Sequence, residues 1–337
     1  MYRKPLHIFA VVLSCCTVFL LAAGGMVTST GSGLAVPDWP LSYGKLMPPM
    51  IGGIFYEHGH RMIASGVGLL TVILTAWILW KEDRRWVRRL AVAALFAVIV
   101  QGVLGGLTVL LLLPTWVSST HATLAQSFFC VVCILALATS RWWMEKSQAQ
   151  SAEIPRSVTA FTLGLTAGVF LQLMFGAVMR HSQAGMVVPD FPFAYGSVFP
   201  SVSSESLRSY ESLLIQSDFR LAADGPISGF QIIIHLIHRY WGFLLILMSL
   251  AFGTYLIQHR AKGPMLGRAA VYFPLLFLVQ GTLGYLVIHS RKDAIAATLH
   301  QTTGAIVLGS LAIFSGMLLR LRYRSQLTSA SHRKGLP

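Results

Sequence analysis

Residues 36–44 read VPDWPLSYG and residues 188–196 read VPDFPFAYG, 152 positions further on. Pro, Asp, an aromatic, Pro and then Tyr-Gly do not recur in one order by composition alone, so the pair marks a chain with two halves built to one plan. Other segments keep step with it. VQGVLGG (100–106) returns as VQGTLGY (279–285), and EHGHR (57–61) returns as HLIHR (235–239), at offsets of 179 and 178. His121 falls opposite His300 in the same alignment.

The medium in which this plan folds is set by composition. Of 337 residues 55% are hydrophobic and only 11% are charged, with a mean hydropathy of +0.65. A soluble domain carries about a quarter charged residues, so the chain belongs to the membrane class. Eight apolar runs reach spanning length, near 7–28, 58–80, 89–113, 117–140, 157–181, 231–257, 268–289 and 294–319. The first follows Tyr2-Arg3-Lys4 and imitates a signal peptide. A like segment recurs inside the chain at about 158–179, so the first run is read as a spanning helix too.

The net charge of +14 is a topology signal and not a nucleic-acid footprint, because the cations sit in short stretches between apolar runs. Arg3 and Lys4, KEDRRWVRR (81–89), Arg141 to Arg156, Arg260 to Arg268 and the tail from Arg320 all fall on one side. That side is predicted to be cytoplasmic, with both termini inside. The loops at 29–57 and 182–230 lie outside. A basic start of only four residues leaves no room for a mitochondrial transit peptide, which predicts a bacterial plasma membrane.

The expected fold class is therefore an all-α integral membrane protein. Its eight transmembrane helices would form two parallel-repeat four-helix bundles, one in 1–150 and one in 151–337. The four cysteines, Cys15, Cys16, Cys130 and Cys133, all lie within apolar runs and are read as packing residues, the CxxC spacing of the last two notwithstanding.

Ionisable residues inside spans are costly and mark function. His60 and His121 stand at matched depths in the first half, and His238 and His300 repeat them in the second. Two histidines at one depth on different helices approach a flat ring from opposite sides, which is how a bis-imidazole haem site is built. Zinc is disfavoured, since two His leave its coordination underfilled. His58 has Leu236 as its counterpart and is read as interfacial. His235, one turn before His238, is either an alternative ligand or a hydrogen-bonding neighbour of the ligand. Arg61 and Arg239 follow the ligand histidines, where they would meet haem propionates or pair with Asp38 and Asp190. The halves differ at one telling place: Glu57 in the first stands where His235 stands in the second. A carboxylate beside one site alone suggests chemistry in the first half and an electron carrier in the second.

Taken together, TGSGLAVPDWPLSYG (30–44), EHGHR, VQGVLGG, His121, VPDFPFAYG, HLIHR, VQGTLGY and His300 resemble the heme A synthase family over essentially the whole chain. The resemblance implies an eight-helix membrane enzyme that oxidises the C8 methyl of haem O to a formyl, by two hydroxylations and loss of water, making haem A for cytochrome oxidase. It implies haem b in the second half on His238 and His300. Substrate haem O would be held in the first half by His60 and His121, with Glu57 as catalytic carboxylate. Haem O, membrane lipid, a haem O synthase (protohaem farnesyltransferase) and an electron acceptor are the implied partners; nucleic acid is excluded, and a homo-oligomer is left open. Many family members carry two cysteines flanking the loop motif. Here Val36 and Ser42 stand in those places, with Val188 and Ala194 in the second half, so the chain is similar to a cysteine-free branch. Two rival readings fit parts of the pattern. A non-enzymatic di-haem b-type cytochrome fits the histidine pairs but gives Glu57 no task. A transporter predicts midplane polar groups, whereas the ionisable residues cluster at the outer ends.

Overall fold

The computed structural model describes residues 3–145, 154–219, 225–259 and 263–333. Ten α-helices follow in chain order: α1 (Lys4–Ser29), α2 (Gly52–Lys81), α3 (Arg85–Leu110), α4 (Thr115–Thr139), α5 (Arg141–Glu145), α6 (Arg156–His181), α7 (Ser204–Gln216), α8 (Gly229–Gln258), α9 (Pro264–His289) and α10 (Ala294–Arg333). All but α5 and α7 are long and apolar enough to cross a membrane, and they coincide with the eight apolar runs of the sequence. The described residues form no extended strand, because a lipid-immersed backbone must satisfy its own hydrogen bonds and helices do so locally. The protein is a multi-pass membrane protein. The expected boundary between halves, at 150/151, lies outside the described residues.

Among the spanning helices, α1 packs on α2 and α4, and α3 packs on α2 and α4. Likewise α8 packs on α6 and α9, and α10 packs on α6 and α9. The two rings share a seam in which α1 and α4 meet α10, and α4 meets α6. Two apolar cores result. One centres on Leu13, Leu74, Ile78 and Leu135, the other on Leu165, Phe252, Leu256 and Leu308. Without a hydrophobic drive between helices in lipid, close approach depends on small residues. Gly309 of α10 is such a place: a Cβ there would stand 2.6 Å from the Phe129 ring of α4.

The quoted loops fold alike. Each contains a cis X-Pro bond, at Trp39-Pro40 and Phe191-Pro192, and each ends on a left-handed Tyr-Gly pair. In the first loop Asp38 accepts the backbone amides of Tyr43 (2.6 Å) and Gly44 (2.8 Å), and Tyr43 Oη donates to Ala35 O. The Gly44 and Tyr43 amides hold the Asp38 carboxyl below its ordinary range, so the loop keeps its ionised acceptor until the pH falls through that depressed value. In the second loop Asp190 accepts Gly196 N (3.3 Å), and Tyr195 Oη donates to Val187 O.

What lies over the loops differs. The longer second loop carries α7, begun by Ser203, whose hydroxyl accepts the Ser206 amide. Tyr210 of α7 stacks on Tyr195 at 3.7 Å between ring centroids, and Leu214 is buried with Val187, Val188 and Ile232 in a satellite core. Within the outer loop at 182–230, α7 thus straps the second loop down.

Candidate functional site

Each of the four paired histidines stands about two turns in from the start of its helix: His60 on α2, His121 on α4, His238 on α8 and His300 on α10. All four rings lie against a glycine of a neighbouring helix. A Cβ added at Gly24 would meet His60 at 3.0 Å, at Gly105 His121 at 3.3 Å, at Gly176 His238 at 2.9 Å and at Gly284 His300 at 2.9 Å. Gly105 and Gly284 are the same position of VQGxLG, and that motif's glutamine does further work. Gln101 donates to the backbone carbonyl of His121 (2.8 Å) and Gln280 to that of His300 (2.9 Å). Gln172 donates in the same way to His238 (2.9 Å), but 152 residues earlier stands Leu20, so His60 has no such clasp.

His300 Nδ1 faces Gln280 O at 3.2 Å, while the Nδ1 atoms of His60, His121 and His238 are buried beside the equivalent carbonyls of Leu20, Gln101 and Gln172 without completing a hydrogen bond. Buried imidazole nitrogens left unpaired are costly. In the second half the His238 and His300 rings face one another at 6.3 Å between centroids with planes at 82°. Two metal–imidazole bonds of about 2 Å each, together with the ring radii, fill that distance. Glycine substitution tests the arrangement directly. Gly176→Ala and Gly284→Ala should each displace a ring and lower bound haem several-fold, read from the visible spectrum of purified protein, while Gly105→Ala, with more room, should do less.

Around these pairs each half builds a polar clamp onto its loop. Arg61 donates from Nη1 to Asp38 O (2.7 Å) and Leu41 O (3.0 Å), and from Nη2 to Val36 O (3.2 Å) and Glu57 Oε1 (2.6 Å). Glu57 Oε2 accepts the Val36 amide at 2.8 Å. In the second half Arg239 reaches Asp190 O (2.8 Å), Phe193 O (3.0 Å) and Val188 O (2.7 Å), and His235 replaces the carboxylate. His235 Nε2 accepts from Arg239 at 2.9 Å, so its Nδ1 carries the proton donated to Ala184 O at 2.8 Å. Both nitrogens of His235 are thus committed, while His238 keeps one unpaired. Neither arginine reaches the Asp carboxylate of its loop; both take the Asp main-chain oxygen.

His58, expected at the interface, is set within the protein. It is buried, and its Nδ1 bonds Ser42 Oγ at 2.8 Å. The bond gives the small polar side chain of Ser42 a buried partner. The loop aromatics also find partners: Phe191 meets Phe243 and Tyr285, with centroids at 5.7 and 5.5 Å. The counterpart of Tyr285 is Gly106, and there the larger Trp39 fills the space, 2.6 Å from where a Cβ would be. Sequence reasoning singled out none of the four cradle glycines as site residues, although two lay in plain view within the VQGxLG repeat.

A family model described as cytochrome oxidase assembly protein, COX15-CtaA, matches residues 50–312. Curated relatives named heme A synthase align along the chain. That of Alkalihalophilus pseudofirmus is 24% identical over 323 residues, covering 94% of this chain and 99% of its own. That of Lysinibacillus sphaericus is 24% identical over 335 residues, with 97% and 99% covered. A third, from Symbiobacterium thermophilum, is 30% identical over 200 residues, covering 57% and 65%.

Proposed function

The chain belongs to the cytochrome oxidase assembly protein family of the heme A synthases, and from that premise we propose that it oxidises the C8 methyl of haem O to the formyl of haem A. The observation that carries this reading is the quartet of glycine-cradled histidines, with unpaired ring nitrogens in both halves and a 6.3 Å pair in the second. These residues fit an iron tetrapyrrole in each half. Residues 1–150 form the substrate half, where His60 and His121 hold haem O. Residues 151–337 form the cofactor half, where His238 and His300 hold haem b.

Haem b supplies one-electron redox chemistry when bound. The chain's own residues do the rest. His60 and His121 fix the substrate ring beneath the first loop. Converting the methyl to a formyl takes up one water oxygen and releases four protons and four electrons, by way of the alcohol and the hydrated aldehyde. Glu57 is the carboxylate nearest that work. Arg61 and the Val36 amide occupy one lone pair on each of its oxygens, and a carboxylate has about four such sites. It therefore remains able to take a proton from water and to stabilise positive charge developing on the substrate. The electrons pass to an acceptor beyond the chain, and haem O comes from a membrane farnesyltransferase. The distribution of Lys and Arg supports cytoplasmic termini and a bacterial plasma membrane.

A di-haem b-type cytochrome is the alternative, and one measurement separates the two. Pyridine-haemochrome analysis of purified protein is expected to give haem b together with haem O or haem A. Haem b alone, at two per chain, would mean a cytochrome.

A further inference from the structure

Arg61 and Arg239 spend their donors on loop carbonyls and on Glu57 and His235 respectively. Arg180 is different. It is the penultimate residue of α6, inside a span, and its Nη2 donates only to neutral acceptors: Ser29 Oγ at 2.7 Å and Gly25 O at 3.4 Å. Its Nε is buried with no hydrogen-bond partner. A guanidinium presents five donors in a planar fork suited to a carboxylate. The side chain is half-buried, and with its Nε shut off from solvent and no anion among its partners, an anionic group from outside the chain is the simplest completion.

The position says which anion. Gly176, one turn inward on the same face of α6, is the glycine against which the His238 ring rests. On the other flank Ser29 Oγ lies 3.3 Å from Thr298 Oγ1, two residues before His300 on α10. Arg180 therefore stands one turn outward of the glycine beneath His238 and, through Ser29, next to α10, the helix that carries His300. The first half has nothing like it: 152 residues earlier stands Thr28, whose hydroxyl returns to Gly24 O of its own helix at 3.1 Å.

We propose that Arg180 anchors a carboxylate side chain of the tetrapyrrole held by His238 and His300. Ser29, from α1, steadies the guanidinium, so the cofactor half borrows part of its anion site from the substrate half. The proposal rests on the haem reading above and goes further in naming which cation faces the ring's acid groups.

The test uses full-length, haem-depleted protein in detergent with His60→Ala, so that only the second pair remains complete. Haem and its iron-porphyrin dimethyl ester, which lacks both negative charges, are titrated separately. With Arg180 present the free acid should bind about tenfold or more tightly than the ester. Arg180→Leu should erase that preference and move the midpoint potential of the bound haem to more negative values; Arg180→Lys should keep part of the preference. Equal binding of acid and ester by the protein with Arg180 intact overturns the proposal without any substitution at that position, as does a full preference surviving in Arg180→Leu. Loss of both ligands alike in Arg180→Leu would assign the residue to packing and overturn it too. If neither ligand gives a bis-imidazole spectrum with Arg180 intact, the haem reading itself falls.

Discussion

Replacing Glu57 with histidine is expected to leave a folded protein that binds haem in both halves and makes no haem A. The second half supplies the reason. There His235 occupies the Glu57 position, accepts from Arg239 at 2.9 Å and ties down the loop through Ala184. Glu57→His thus installs a side chain that the same local construction already tolerates, while removing the one carboxylate beside the substrate pair. Glu57→Ala is a blunter tool. It leaves the Val36 amide and one arm of Arg61 without the oxygens they bond at 2.8 and 2.6 Å, a loss of about 1–3 kcal/mol for each buried group left unsatisfied. Comparing thermal unfolding of the two variants separates clamp from chemistry. Haem extraction and chromatography should then show haem O, or its alcohol, accumulating in both. Normal haem A output from Glu57→His would remove Glu57 from the reaction and leave it only as the loop's fastener.

The second large effect concerns the ligand pairs, which should fail in different ways. His300→Ala breaks the second-half pair, and resident haem b should fall by more than the 10–100-fold affinity loss that removing an outer partner of a metal ligand costs. His121→Ala should leave haem b in place, with its bis-imidazole spectrum intact, and abolish haem A formation by loosening the substrate. His235→Ala provides the control. Both of its nitrogens are already engaged by Arg239 and Ala184, so that variant should loosen the loop yet retain most haem b. Haem b lost as fully from His235→Ala as from His238→Ala would instead make His235 the ligand.

Much of this was legible in the sequence, and what was not has a physical reason. The spans, the helix order and the four histidines followed from hydropathy and from offsets of 152, 178 and 179, because lipid permits few folds and a recurring motif carries its own alignment. The Glu57–His235 asymmetry was visible for the same reason. The alignment could not say which donors were already spent. Arg61 and Arg239 read as carboxylate binders, but their reach back to the loop depends on a local backbone path that no spacing rule supplies. Arg180 lies among the last residues of an apolar run, where a cation within a span is itself a signal. His58 looked interfacial by position, and only packing shows Ser42 waiting for it at 2.8 Å. The cradle glycines at 24 and 176 lie outside any motif, since a glycine's value is the neighbour it admits.

Trp39 over Gly106 and Phe191 against Tyr285 have a consequence for the history of the chain. The two loops are near copies, and near copies in one gene are open to being overwritten by each other. Here each aromatic is fitted to a space that its own half provides. Phe191 in the Trp39 position would leave a void over Gly106, and Trp39 in the Phe191 position would collide with Tyr285. A single exchange of loops therefore yields a worse protein in either direction, and only a simultaneous exchange of partners on α3 or α9 repairs it. The volume swap works against exchange between the loops, so the halves share an outline while each aromatic stays matched to its own helix.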